Sequence, residues 1–172
     1  AFRDEPHPST KAFTPYPFND PYLFWQWHYI NNADQAISNT SREGADVNVA
    51  PAWKLTGGDP RIIVAVLDEG VKYTHPDLAD NMWINPDPDP EMNDIHGYNF
   101  VDNCDIEWTR EGNVGHGTHV AGTIAAVNGN GIGVCGIAGG TGKGDGVRIM
   151  SCQIFSGDDS AGDARAAVAI KY

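Results

Sequence analysis

Apolar and polar positions along this chain fall into short blocks separated by glycine and proline, and three of the blocks read as strands. Residues 62–67 (IIVAVL) form a continuous, largely β-branched apolar run without alternation, the pattern of a central parallel strand covered on both faces. Residues 98–101 (YNFV) and 147–155 (VRIMSCQIF) predict two more strands. Helical spacing occurs at 49–55, closed by Gly57 and Gly58, at about 116–128, and from near Gly162 to Tyr172. In the middle helix Val120, Ile124 and Val127 mark one apolar face, while Gly117, Ala121, Gly122, Ala125 and Ala126 leave room for close contact and Gly129 and Gly131 end it. Strands alternating with helices imply an α/β fold around a mostly parallel central sheet with helices on both faces. The last helix reaches Tyr172 without returning the chain to another strand, so the expected fold is incomplete in this sequence.

Ahead of this pattern, Pro6, Pro8, Pro15, Pro17 and Pro21 forbid a helix and favour an extended arm lying on a surface. The segment 22–29 (YLFWQWHY) is too aromatic to remain in water and is expected to dock onto the main body. An acidic, proline-rich loop at 85–91 has Met92 where an EF-hand would need its sixth-position glycine, so it reads as a solvated loop.

Composition narrows the field of partners. The formal net charge of −12 argues against nucleic acid or an anionic membrane surface, which would be repelled, and leaves cationic ligands open. No run approaches the roughly 18 apolar residues of a membrane span, and no basic-then-apolar leader stands at the start, so an exported protein would have lost its signal already. Cys104, Cys135 and Cys152 are odd in number and lack C-x-x-C spacing, which reads as free, small thiols rather than a disulfide framework.

The candidate chemistry is a pair. Asp68 follows a strand of the kind whose carboxyl end borders ligand sites in open parallel sheets, and His116 stands at the mouth of a helix built from small residues. An imidazole that takes a proton from a hydroxyl needs its other nitrogen held by a fixed acceptor, and a buried carboxylate does this while stabilising the imidazolium that forms. The helix N-terminus is expected to disfavour a standing positive charge on the ring. His119 competes for the role, and His116 with His119 could instead form a metal pair, although no third ligand is evident.

Residues 64–71 (VAVLDEGV), then 75–78 (HPDL), then 116–123 (HGTHVAGT) resemble the aspartate and histidine motifs of the subtilisin-like serine proteases, and the similarity runs from about Asn19 to the last residue. The resemblance implies a secreted or otherwise extracytoplasmic serine endopeptidase acting on peptide or protein substrates. In it Asp68 orients the histidine, His116 is the general base, and His119 is a packed structural residue. The family's serine motif and its oxyanion asparagine have no counterpart here. Residues 19–172 therefore correspond to the N-terminal half of a catalytic domain, with residues 1–18 an extended arm or propeptide remnant and the serine supplied by a C-terminal half. The resemblance further implies a structural Ca2+ held by Asp20, Asp77 and Asn130 with the carbonyls of Val127, Ile132 and Val134, and an edge strand at Ser160, Ala161 and Gly162 that pairs with substrate. The competing reading is a non-catalytic subtilase-like module, serving in binding or as a calcium-stabilised scaffold.

Overall fold

The computed structural model describes residues 15–34, 37–108, 115–155 and 163–172. Three parallel strands form one sheet: β1 (Ile63–Asp68), β2 (Gly97–Asn99) and β3 (Arg148–Gln153), in the order β1-β3-β2. Asp68 is in register with Gln153, and Gln153 with Asn99, so all three strands end on one line. Three helices accompany them: α1 (Val49–Trp53), α2 (His116–Ala125) and α3 (Asp163–Lys171).

Alternation along the strands sends successive side chains to opposite faces. On one face Val64 and Val66 of β1 and Ile149 of β3 pack with Val120, Ala121, Ile124 and Ala125 of α2, joined by Val71, Leu78 and Met82. On the other, Leu67, Met150 and Cys152 meet Ala166 and Ala169 of α3 and the ring of Phe100. This two-sided arrangement is the α/β sheet that the pattern implies.

The expectation for the first strand needs correction. It runs one residue later than the apolar run and takes in Asp68 itself, and its amino end is open: Ile62 and Ile63 are 54% and 48% exposed. Only the carboxyl half is enclosed, because α2 covers Val64 and Val66 while the α3 cluster reaches only Leu67. Within the described sheet β1 is an edge strand. The middle helix is also shorter than its pattern. It stops at Ala125, because Ala126 turns to an extended conformation (φ −52°, ψ 139°) and Val127 donates its N–H to the carbonyl of Asp77.

A second cluster seats the N-terminal segment. Leu23, Tyr29 and Ile30 are buried against Val49, Ala50 and Trp53 of α1 and Cys135, with Tyr16 and Phe18 packed on them. The aromatic segment thus docks by every third residue, Leu23, Gln26 and Tyr29, leaving Tyr22, Trp25 and Trp27 about half exposed. Gln26 fastens it with two 2.8 Å hydrogen bonds, one to the carbonyl and one from the N–H of Cys135. All three cysteines are free thiols; Cys104 is exposed and the other two are buried. No helix among the described residues is long and apolar enough to cross a membrane.

Candidate active site

Asp68 closes β1 at the carboxyl edge of the sheet, and α2 starts directly above it. Gly115, at φ 77°, turns the chain into the helix through a left-handed conformation that costs glycine little. His116 is then the first helical residue, and its Nδ1 lies 2.9 and 2.8 Å from the two carboxylate oxygens of Asp68. Oδ1 also accepts the N–H of Glu69 at 2.8 Å. The Asp68 side chain is 11% exposed and the imidazole 63%, so the carboxylate is walled in while the ring faces outward. Among the described residues, the ring's Nε2 has no hydrogen-bond partner.

The approach of helix to strand is set by glycine. A Cβ on Gly117 would stand 2.5 Å from the carbonyl oxygen of Gly70 and 3.2 Å from Oδ1 of Asp68, so any side chain there would push α2 away. Hydrogen bonds then tie the turn after Asp68 from two directions. Val71 N–H donates to Oγ of Ser151 on β3 at 3.0 Å, and Lys72 N–H donates to Oγ1 of Thr118 on α2 at 2.9 Å. Sequence reasoning missed Thr118 and Ser151. Thr118 lies inside the quoted motif and could have been suspected, whereas nothing in the sequence marks a core serine on β3 as a support for the turn.

The hydrogen bond to Asp68, and next the carboxylate's charge, hold the His116 imidazole above its ordinary value of 6.5. The helix N-terminus was expected to act the other way. The carboxylate in direct contact prevails, because it sits at hydrogen-bond distance with full charge while the helix terminus offers a fraction of one.

His119 does not have the packed role that the resemblance implies. It is exposed, since it lies two residues, or about 200° of helix, from the fully buried Ala121. Among the described residues no three His, Cys, Asp or Glu side chains converge on a common point that could hold a metal. His116, moreover, already spends Nδ1 on Asp68.

Of the six residues expected around Ca2+, Asn130 and Val134 bond to Asp77, and Asp20 lies near that carboxylate. Asp77 is buried at 2% exposure; its Oδ1 accepts from Nδ2 of Asn130 at 2.9 Å and its Oδ2 from the N–H of Val134 at 2.9 Å. Burial pushes the Asp77 carboxyl up, the charge of nearby Asp20 adds to this, and the bonds from Val134 and Asn130 work against it. Asp20 is also buried: Oδ2 accepts the N–H of Gly129 at 2.7 Å, and Oδ1 is enclosed without a hydrogen-bond partner. Two neighbouring buried carboxylates, one with an orphaned oxygen, fit a hard cation. The fit at Asn130 requires a turn of its amide, because Oδ1 now accepts from Ile132 N–H at 2.7 Å and the NH2 faces Asp77. Val127 reaches the same loop through its N–H. Ser160, Ala161 and Gly162 lie outside the described residues.

The outward side of α2 borders a cavity of about 520 Å3, lined by Thr118 and Gly122 on the helix, by Gly115 and Ala126 at its two ends, and by Tyr22 and Gln26. A Cβ on Gly122 would meet nothing within 4 Å.

With this geometry in place, the comparisons with known proteins are consistent. Residues 59–172 match the model of the Subtilase family. Neuroendocrine convertase 2 of Bos taurus is 33% identical over 133 residues, covering 77% of this chain and 19% of that protein. Kexin of Saccharomyces cerevisiae is 33% identical over 146 residues, covering 83% of this chain and 15% of that one. This chain therefore spans less than a fifth of the length of these relatives. Among solved structures, the serine protease of Aeromonas sobria superposes with a TM-score of 0.63 at 26% identity, over 94% of this chain and 24% of that one. The same protease in complex with its chaperone superposes with a TM-score of 0.65, over 91% of this chain and 24% of that one. A parallel sheet ending in a carboxylate, a histidine helix held against it by glycine, and a family match across about two thirds of the residues lead to one conclusion: the chain belongs to the subtilase family.

Proposed function

We propose that this chain supplies the aspartate and histidine of a serine endopeptidase whose nucleophilic serine and oxyanion donor reside in a C-terminal segment outside these 172 residues. The observation that carries the reading is the His116 ring, with Nδ1 spent on both oxygens of a walled-in Asp68 and with its other edge open. In the reaction Nε2 takes the proton of the serine hydroxyl as that oxygen attacks the peptide carbonyl, and returns it to the leaving amine. Asp68 keeps the proton of the resting ring on Nδ1 and stabilises the imidazolium while it lasts. The outward side of α2, where Thr118 and Gly122 border the cavity, would give the complementary segment a surface it can approach closely.

Asp20, Asp77, Asn130 and the 127–134 loop would hold Ca2+, which supplies no chemistry to peptide cleavage and braces the loop behind α2. Extended peptide would pair with the backbone at Ser160, Ala161 and Gly162. The relatives' names support a place in the secretory pathway or outside the cell, where proteolysis is kept from cytosolic proteins.

A fluorophosphonate probe applied to the full-length protein tests the triad. The expected result is a covalently labelled serine, with labelling lost in His116→Ala. A folded, calcium-loaded sample that takes up no probe would sink the proposal.

A further inference from the structure

We propose that Gln153 is a positioning residue for the catalytic pair, acting on Asp68 through the turn at Gly70. The inference rests on the assignment of Asp68 and His116 as orienter and base. Gln153 is the last residue of β3, fully buried, and flanked in register by Asp68 and Asn99. A long polar side chain in such a place must bring its own hydrogen bonds. It does so on a single residue: Oε1 accepts the N–H of Glu107 at 2.8 Å and Nε2 donates to the carbonyl of Glu107 at 3.1 Å. The amide thereby imitates one rung of a strand pair and clamps the segment before α2 onto the end of the sheet.

The clamp bears on Gly70. That residue, at φ 98°, lies where a Cβ would be 3.0 Å from Oε1 of Gln153 and 3.3 Å from Cγ2 of Ile106, the buried neighbour of Glu107. On the opposite side its carbonyl meets Gly117 of α2. The turn 68–70 is therefore held between the histidine helix and the Gln153–Glu107 clamp. With the clamp released, Ile106 loses its anchor and the turn gains room to retreat from α2, carrying the Asp68 carboxylate away from Nδ1. The side-chain bonds of Gln153 go to Glu107 and not to His116, so its influence passes through Asp68.

An internal control exists. Gln26 makes the same double bond to Cys135 at the N-terminal segment, with similar burial and with neither bond reaching the Asp68 turn.

The test uses Gln153→Met, of near-equal size, in the full-length protein, with His116 titrated by NMR of ring-labelled histidine. The charged groups that bear on His116 are Asp68 and Glu69, both unaltered. Expected are a His116 midpoint that falls toward 6.5, and a kcat lower by about tenfold with KM within about twofold. Gln26→Met should lower the melting temperature while leaving that midpoint in place. Ile106→Ala releases the same turn from the loop side and should shift His116 in the same direction, which covers the case in which Gln153→Met does not fold. A folded Gln153→Met whose His116 midpoint and kcat match the parent overturns the inference. The titration needs no turnover, so an inactive parent protein would count against the proposed function and leave this result readable.

Discussion

Replacing Gly117 by alanine adds one methyl group at the closest approach of α2 to the Asp68 turn. The new Cβ would lie 2.5 Å from the carbonyl oxygen of Gly70, against the 3.4 Å at which ordinary contact begins, so helix and turn must part by about 0.9 Å. The partner atom is backbone, tied to β3 through Ser151 and to α2 through Thr118, and it cannot swing aside as a flexible side chain would. If the whole displacement falls along the line between the elements, the 2.8 Å contact from Nδ1 to Oδ2 stretches toward about 3.7 Å, beyond the range of a hydrogen bond. Overpacking of this kind costs about 1–3 kcal/mol of stability. A misplacement near 1 Å in a catalytic constellation costs about a hundredfold in rate. The assay is kcat/KM of the full-length variant on a peptide substrate, with NMR titration of His116 in parallel. Expected are a fall of about a hundredfold and a His116 midpoint closer to the ordinary value. Activity within about threefold of the parent, with an unmoved His116, would refute the claim that glycine is required here for close approach.

Other consequences are open to measurement. Asp68→Asn leaves the ring without its carboxylate and should lower kcat by about 10⁴, the loss measured for the equivalent change in a chymotrypsin-type triad. Because His116 must be neutral to accept a proton and Asp68 holds it above 6.5, the acid limb of kcat/KM should have its midpoint above 6.5; a limb centred at or below that value contradicts the geometry. The same raised ionisation means that the pair stabilises the fold below pH 6.5 and that this contribution fades as the pH rises through the folded-state midpoint. If the Asp20–Asp77 loop holds Ca2+, calcium at a hundredfold over its dissociation constant adds about 2.7 kcal/mol, so chelation should lower the melting temperature and Asp20→Asn should weaken the response. A melting temperature indifferent to both chelator and calcium would remove the site. Cys104 is exposed whereas Cys135 and Cys152 are buried, so a thiol reagent should modify one cysteine in the native protein and all three in denaturant, as mass spectrometry would count.

The parts of this molecule that were legible in the sequence are those in which one residue type has one physical use. The apolar runs located β1 and β3 to within two residues, and the apolar stripe of the middle helix located Val120 and Ile124 on the face by which α2 meets the sheet. The acid at the end of the first run and the histidine at the helix mouth proved to be bonded. What stayed hidden depends on partners distant in the chain. The exposure of Ile62 and Ile63 follows from how far α2 and α3 extend over β1, which no local pattern records. The early stop of α2 follows from the carbonyl of Asp77, which captures the N–H of Val127 from 50 residues away in sequence. The exposure of His119 could have been read from the helical period, since a histidine two positions before a buried alanine points outward. There the resemblance to a family outweighed the geometry.

The proposed catalytic pair is assembled by elements that all lie within the described residues. Asp68 is fixed by its strand register, by the walls of Gly117 and Gly70, and by bonds that Ser151 and Thr118 make to the two residues beyond. Each of these supports comes from β1, β3, α2 or the loops that join them. A triad works only when base and orienter stand ready before the nucleophile's proton moves, because reorganisation at that moment would add to the barrier. In the proposed triad, holding both in one sheet-and-helix unit would achieve this before a serine from another segment arrives. That role would also account for a histidine ring 63% exposed beside an enclosed carboxylate: the enclosed side would hold its geometry, and the open side would receive a hydroxyl.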